Sequence, residues 1–123
     1  MVIDTPALLA VLFNDKHGPW VVDQLAGSSS PLRMSTVNYA ETLILVEDRQ
    51  PNLIAAVREM IAGSSILLTA PGAQEAEIAA SARLRFPLNL GDCFAYALAK
   101  RENSPLLTLD RDFRRTDITV VLP

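Results

Sequence analysis

An α/β fold with a largely parallel sheet is the class this sequence predicts, and three observations predict it. Short apolar runs suited to strands alternate with longer helical stretches, the pattern of strand–helix–strand crossovers. The chain has 123 residues, enough to bury one good core and too few for two, so residues 1–123 are expected to form one domain. Half of the residues are hydrophobic and 20% are charged, the ordinary balance of a compact domain.

The elements follow in order. MVID reads as a short buried strand ending at Asp4. TPALLAVLF then starts a helix that Thr5 can cap, with Pro6 suited to the first helical position, where a missing N–H costs nothing. His17-Gly18-Pro19 breaks the chain before a second short helix, WVVDQLA. PLRMS reads as the second strand, and STVNYAETLILVEDR as a third helix opened by a Ser/Thr cap. Pro51 restarts a fourth helix through Met60, which Gly63 closes. SSILLTA is a third strand, PGAQEAEIAASARLR a fifth helix, and LNLGDCFAYALAK a sixth. PLLTLD is the fourth strand and DITVVL the fifth. GSSSP at 27–31 is the most loop-like stretch and is too short to separate domains.

Several function classes drop out at this level. The apolar start is short and interrupted by Asp4, without a basic leader or a small-residue cleavage site, so no signal peptide is read. Nothing approaches roughly 18 continuous apolar residues, so no membrane span is expected. One cysteine, Cys93, makes no internal disulfide and fits a reducing cytoplasm. Its apolar neighbours mark a packed thiol rather than a nucleophile. The net charge of −3 argues weakly against nucleic acid, but its distribution argues less. Residues 1–82 carry 4 basic and 9 acidic side chains, and residues 83–123 carry 7 basic and 5 acidic. A mildly basic C-terminal third, with Arg111, Arg114 and Arg115 close together, is able to contact phosphates or to form a solvated face.

In a parallel sheet, ligands collect outside the carboxyl ends of the strands. Asp4 ends the first strand, Asp110 ends the fourth, and Asp92 opens the helix leading into it. Glu41 lies four residues after Val37, three before Ile44 and four before Leu45, which places it on an apolar stripe of the third helix. Each acid has a plain alternative. Asp4 and Asp92 can cap helices, Asp110 can serve a turn, and Glu41 can reach water from the edge of its stripe. Together they are harder to explain that way. Two unit charges 5 Å apart repel by about 3 kcal/mol at an effective dielectric of 20, so a shared rim requires protons or a cation. Hard carboxylates without histidine or thiolate suit Mg²⁺ or Mn²⁺ rather than zinc. The lone His17 reads as a surface residue in a turn.

VIDTPALLA, STVNYAET, LNLGDCFAYALAK and PLLTLDRDFRRTDI together resemble the PIN-domain ribonucleases, in particular the VapC toxins of bacterial toxin–antitoxin pairs. The resemblance spans the chain in order and spacing. It implies a PIN-like three-layer domain, with a mostly parallel sheet of four to five strands flanked by helices. It further implies Mg²⁺-dependent cleavage of RNA, with Mn²⁺ able to substitute, and inhibition by a cognate VapB-like antitoxin. A homodimer or a toxin–antitoxin hetero-oligomer in the cytoplasm goes with it.

Asp4, Glu41 and Asp92 fall on the family's acidic positions. The fourth acid is Asp110 or Asp112; both remain candidate metal ligands, with Asp110 preferred as the catalytic one. Thr5 is expected to contact a metal-bound water or a phosphate, and Arg111 the RNA backbone. An antitoxin is expected to offer a basic side chain to the acids and apolar residues to a groove near Trp20 and Leu43. Pro6 departs from the small hydroxyl residue common in the family. That departure keeps open a catalytically silent PIN-like module that binds RNA or a partner. A receiver domain also groups acids on a parallel sheet, but its acceptor aspartate belongs on the third strand, and SSILLTA has none.

Overall fold

The computed structural model describes residues 1–123. Its elements are β1 (Val2–Ile3), α1 (Thr5–Leu12), α2 (Gly18–Ala26), β2 (Arg33–Ser35), α3 (Thr36–Arg49), α4 (Ile54–Ala62), β3 (Leu67–Thr69), α5 (Ala73–Arg85), α6 (Leu90–Glu102), β4 (Leu106–Leu107) and β5 (Val120–Val121). Short 3-10 turns at Pro51–Leu53 and Arg111–Arg115 complete the chain. All five strands are parallel, in the order β3-β2-β1-β4-β5. No helix is long and apolar enough to cross a membrane.

Period-two alternation divides the core. Ile3 and Leu107 face a cluster that includes Leu8, Val21, Met34, Val46 and Ile61 from the α1–α4 side. Their neighbours Val2 and Leu106 face the opposite cluster, with Ala79, Cys93, Tyr96 and Phe113. Strands buried on both faces are the mark of helices covering both sides of a parallel sheet. Cys93 is packed in the second cluster, as its neighbours predict.

The strand order places the site. The chain moves outward from β1 through β2 to β3, then returns across the sheet to β4 on the other side of β1. The order therefore reverses between β1 and β4, where a crevice forms beyond the strand ends. Asp4 follows β1 there, and Thr108 follows β4.

Three local expectations are corrected. Asp4, not Thr5, caps α1, accepting from the Thr5 backbone N–H and leaving Pro6 one position further in. Strand β4 stops at Leu107, so Asp110 does not end it but caps the following 3-10 turn. The buried stripe of α3 is Asn38, Thr42 and Val46, while Ile44 is 66% exposed. Glu41 flanks a polar stripe, half-buried, instead of lying in an apolar one.

Candidate active site

Asp4 is 1% exposed. The chain reverses direction right after β1, and the carboxylate serves both the helix and the strand beside it. Oδ1 accepts from Thr5 N at 2.9 Å, and Oδ2 accepts from the Thr108 hydroxyl at 2.7 Å. Burial still dominates. The carboxyl is pushed up to about 7, with Asp92 and Glu41 adding repulsion and the Thr108 and Thr5 hydrogen bonds opposing it.

Asp92 occupies the third position of α6. Its N–H donates to Asn89 Oδ1 at 2.8 Å, and its Oδ2 accepts from Asn89 N at 3.1 Å, a reciprocal capping box. The capping role is real, yet it uses only one oxygen. Partial burial raises this carboxyl to about 6, and Asp110, Glu41 and Asp112 push it the same way against the bond from Asn89. Asp92 thus feels three other acids at once, Asp110, Glu41 and Asp112.

Glu41 is held from three sides. Thr5 Oγ1 donates to its Oε1 at 2.9 Å, and Asn38 Nδ2 donates to the same oxygen at 2.8 Å. Glu41 explains why a glycine, Gly91, stands in front of Asp92. The φ of Gly91 is not positive, so conformational freedom is not the reason. A Cβ at that position would lie 2.1 Å from Glu41 Oε2. The glycine makes room for the carboxylate.

Asp110 is half-buried and Asp112 exposed. Asp110 N donates to Thr108 Oγ1, and Asp112 N to Asp110 Oδ1. Thr108 thereby ties Asp4 to the turn carrying Asp110. Arg111 is exposed in that turn, and the Thr5 hydroxyl is turned inward onto Glu41. His17 stands at the start of α2, outside the cluster. A cleft of about 640 Å³ lined by Leu43, Ile44, Glu47, Asp48, Ile54 and Arg58 holds none of the clustered acids, and Trp20 does not line it.

The acids have no cation of their own. The three ion pairs of the structure, Arg33–Glu102, Lys100–Asp117 and Arg101–Glu75, all lie elsewhere. Glu41 Oε2 and Asp92 Oδ1 accept nothing from the protein. Oxygen donors carrying uncompensated charge fit a hard divalent cation. No three of the carboxylates stand close enough to enclose an ion without adjustment. Sequence reasoning missed Asn38 and Thr108. Their signals are a polar residue at the 38/42/46 spacing of a buried stripe and a hydroxyl in an otherwise apolar strand end.

The PIN domain family matches residues 1–118. The chain is 39% identical to the Ribonuclease VapC of Mycolicibacterium smegmatis, over 98% of this chain and 99% of that one. It is 38% identical to Ribonuclease VapC30 of Mycobacterium tuberculosis over 100% of both. Among solved structures, VapC20 of Mycobacterium tuberculosis, a sarcin-ricin loop cleaving toxin, gives a TM-score of 0.84 at 17% identity, over 99% of this chain and 98% of that one. A toxin–antitoxin complex from Klebsiella pneumoniae gives 0.80 at 21% identity, over 99% and 96%.

Proposed function

This chain belongs to the PIN-domain family, among relatives named VapC ribonucleases, and on that premise we propose that it is a divalent-metal-dependent endoribonuclease. It acts as the toxin of a toxin–antitoxin pair. The observation carrying the reading is a buried Asp4 beside Asp92 and Glu41 at the strand-order reversal, with no side-chain cation to neutralise them. Relatives solved as toxin–antitoxin complexes support the partner, a VapB-like antitoxin.

Asp4, Asp92 and Glu41 would hold Mg²⁺, or Mn²⁺ in its place, with Asp110 preferred over Asp112 because it is half-buried and is the larger influence on Asp92. Bound there, the ion supplies an acidified water and stabilises charge on the phosphate. The protein's own share is orientation. Thr108 fixes Asp4, and Thr5 and Asn38 aim Glu41. Arg111, exposed beside the acids, would hold the RNA backbone without reading sequence. Thr5 already bonds Glu41, so the missing hydroxyl at Pro6 removes nothing that aims this carboxylate.

Cleavage of RNA by the purified protein should require Mg²⁺ or Mn²⁺ and stop with EDTA. Expression should arrest growth unless the adjacent small antitoxin is co-expressed. Undiminished cleavage in chelator, by material free of other nucleases, overturns the metal-dependent reading.

A further inference from the structure

Asn38 is wholly buried in α3, one turn before Glu41. Its Nδ2 donates to Glu41 Oε1 at 2.8 Å and to the Gly91 carbonyl, in the first turn of α6, at 3.0 Å. One amide therefore grips a carboxylate on α3 and the backbone next to Asp92 on α6. The other end of the amide is left wanting: Asn38 Oδ1 is buried and accepts nothing. A buried acceptor without a donor is costly, and folded proteins rarely keep one. Turning the amide over would not help, because Oδ1 would then face a carboxylate oxygen and a carbonyl oxygen, both acceptors. The side chain is kept at a loss on one atom for the contacts of the other. Glu41 has no slack on its far side either, since the space of a Gly91 side chain is filled by its carboxylate.

Resting on the metal-dependent ribonuclease reading, we infer that Asn38 is a positioning residue, which sets how Glu41 on α3 stands relative to Asp92 on α6. It thereby sets the spacing of the oxygens offered to the cation. It touches neither RNA nor metal. Removing a donor that orients a metal-binding group typically weakens affinity or turnover about 10- to 100-fold.

Asn38→Leu keeps the branching and removes both polar atoms, and Asn38→Ala serves if leucine does not fit the site. The measurements are Mn²⁺ affinity by electron paramagnetic resonance, melting of the metal-free protein, and kcat and KM on single-stranded RNA. Mn²⁺ affinity and kcat should each fall about 10- to 100-fold, with KM nearly unchanged. Melting temperature of the leucine variant should hold or rise, because the orphaned acceptor is gone. A packing role gives the reverse pattern: lower melting, with Mn²⁺ affinity and kcat within about twofold of wild type, short of that range. That result overturns the inference and leaves the ribonuclease reading standing. Wild-type protein that binds no Mn²⁺ and leaves RNA intact removes both.

Discussion

Asp92, in the first turn of α6, and Asp117, held against the later turns of the same helix, have carboxyls pushed in opposite directions. Asp92 meets three acids and rises to about 6, with partial burial the main cause. Asp117 accepts from the Tyr96 hydroxyl at 2.6 Å and from Lys100, and falls to about 2, with the Lys100 bond the main cause. Glu75 is paired as well: it is buried and meets Arg101 across α5 and α6. Where acids hold the scaffold together, the chain supplies the positive partner. At the strand-order reversal it supplies none, which is how a site that recruits its cation from solution should look.

The largest break in that contrast is Asp92→Asn. The amide keeps an acceptor for Asn89 N and so keeps the cap, but it loses the charge. Cleavage should fall by more than about 100-fold, beyond what orienting partners of metal-bound groups cost. The metal-free melting temperature should hold or rise, as one repulsive carboxylate has gone. Melting and turnover on one preparation check both. Full activity would make Asp92 a cap and nothing more.

The pH dependence of metal-free stability sharpens the comparison. Asp4 titrates at about 7 in the fold against an ordinary 3.8. A raised value favours folding fully below 3.8 and loses that contribution as pH climbs through 7. Asp92 adds a weaker effect of the same sign ending near 6. Metal-free protein should therefore melt at a lower temperature at pH 8 than at pH 5, by an amount equivalent to roughly 1–3 kcal/mol, because only the part of the Asp4 shift between pH 5 and about 7 falls in this range. Mg²⁺ should restore the loss at pH 8. A melting curve flat over this range, with and without Mg²⁺, would contradict the electrostatics of the cluster.

Gly91→Ala tests the close packing of the two helices at the site. The new Cβ would meet Glu41 Oε2 at 2.1 Å, so the carboxylate must move. Alanine is the better helix former, so the helix itself is not weakened. Mn²⁺ affinity should drop by about tenfold, which isothermal calorimetry would detect.

How much of this is legible in the sequence follows from what each pattern encodes. Element order is readable because strands buried on both faces appear as apolar runs, such as PLLTL, between helical periods. The acids stand out because carboxylates at strand ends and helix starts are few. The contacts that aim them are not legible. Asn38 and Thr108 act through hydrogen bonds to residues 53 and 104 positions away, and local spacing carries no trace of such pairing. Ile44 misleads for a related reason. Helical spacing groups it with Glu41, but only the packed neighbours determine which side of that stripe faces inward, and Thr42 wins the place.

The smallest expected effect lies at the compensated end. Asp117→Asn keeps an oxygen for the Tyr96 hydroxyl but puts a neutral group against Lys100. The pair is part-exposed, so its loss should cost no more than about 1 kcal/mol, a fall in melting temperature of roughly 3–6 °C for a domain of this size. The sign in pH is opposite to that of the acidic site. Asp117 has a depressed value, so its contribution is present above 3.8 and disappears as pH falls through 2. The difference in melting between wild type and Asp117→Asn should accordingly be full at pH 5 and shrink as pH is taken below 3.8 towards 2. RNA cleavage by the variant should match wild type at a temperature where both are folded, since Asp117 neighbours none of the clustered acids. A variant that melts like wild type but cleaves poorly would reverse the assignment, making Asp117 part of the chemistry and the Tyr96–Lys100 clasp something other than scaffold.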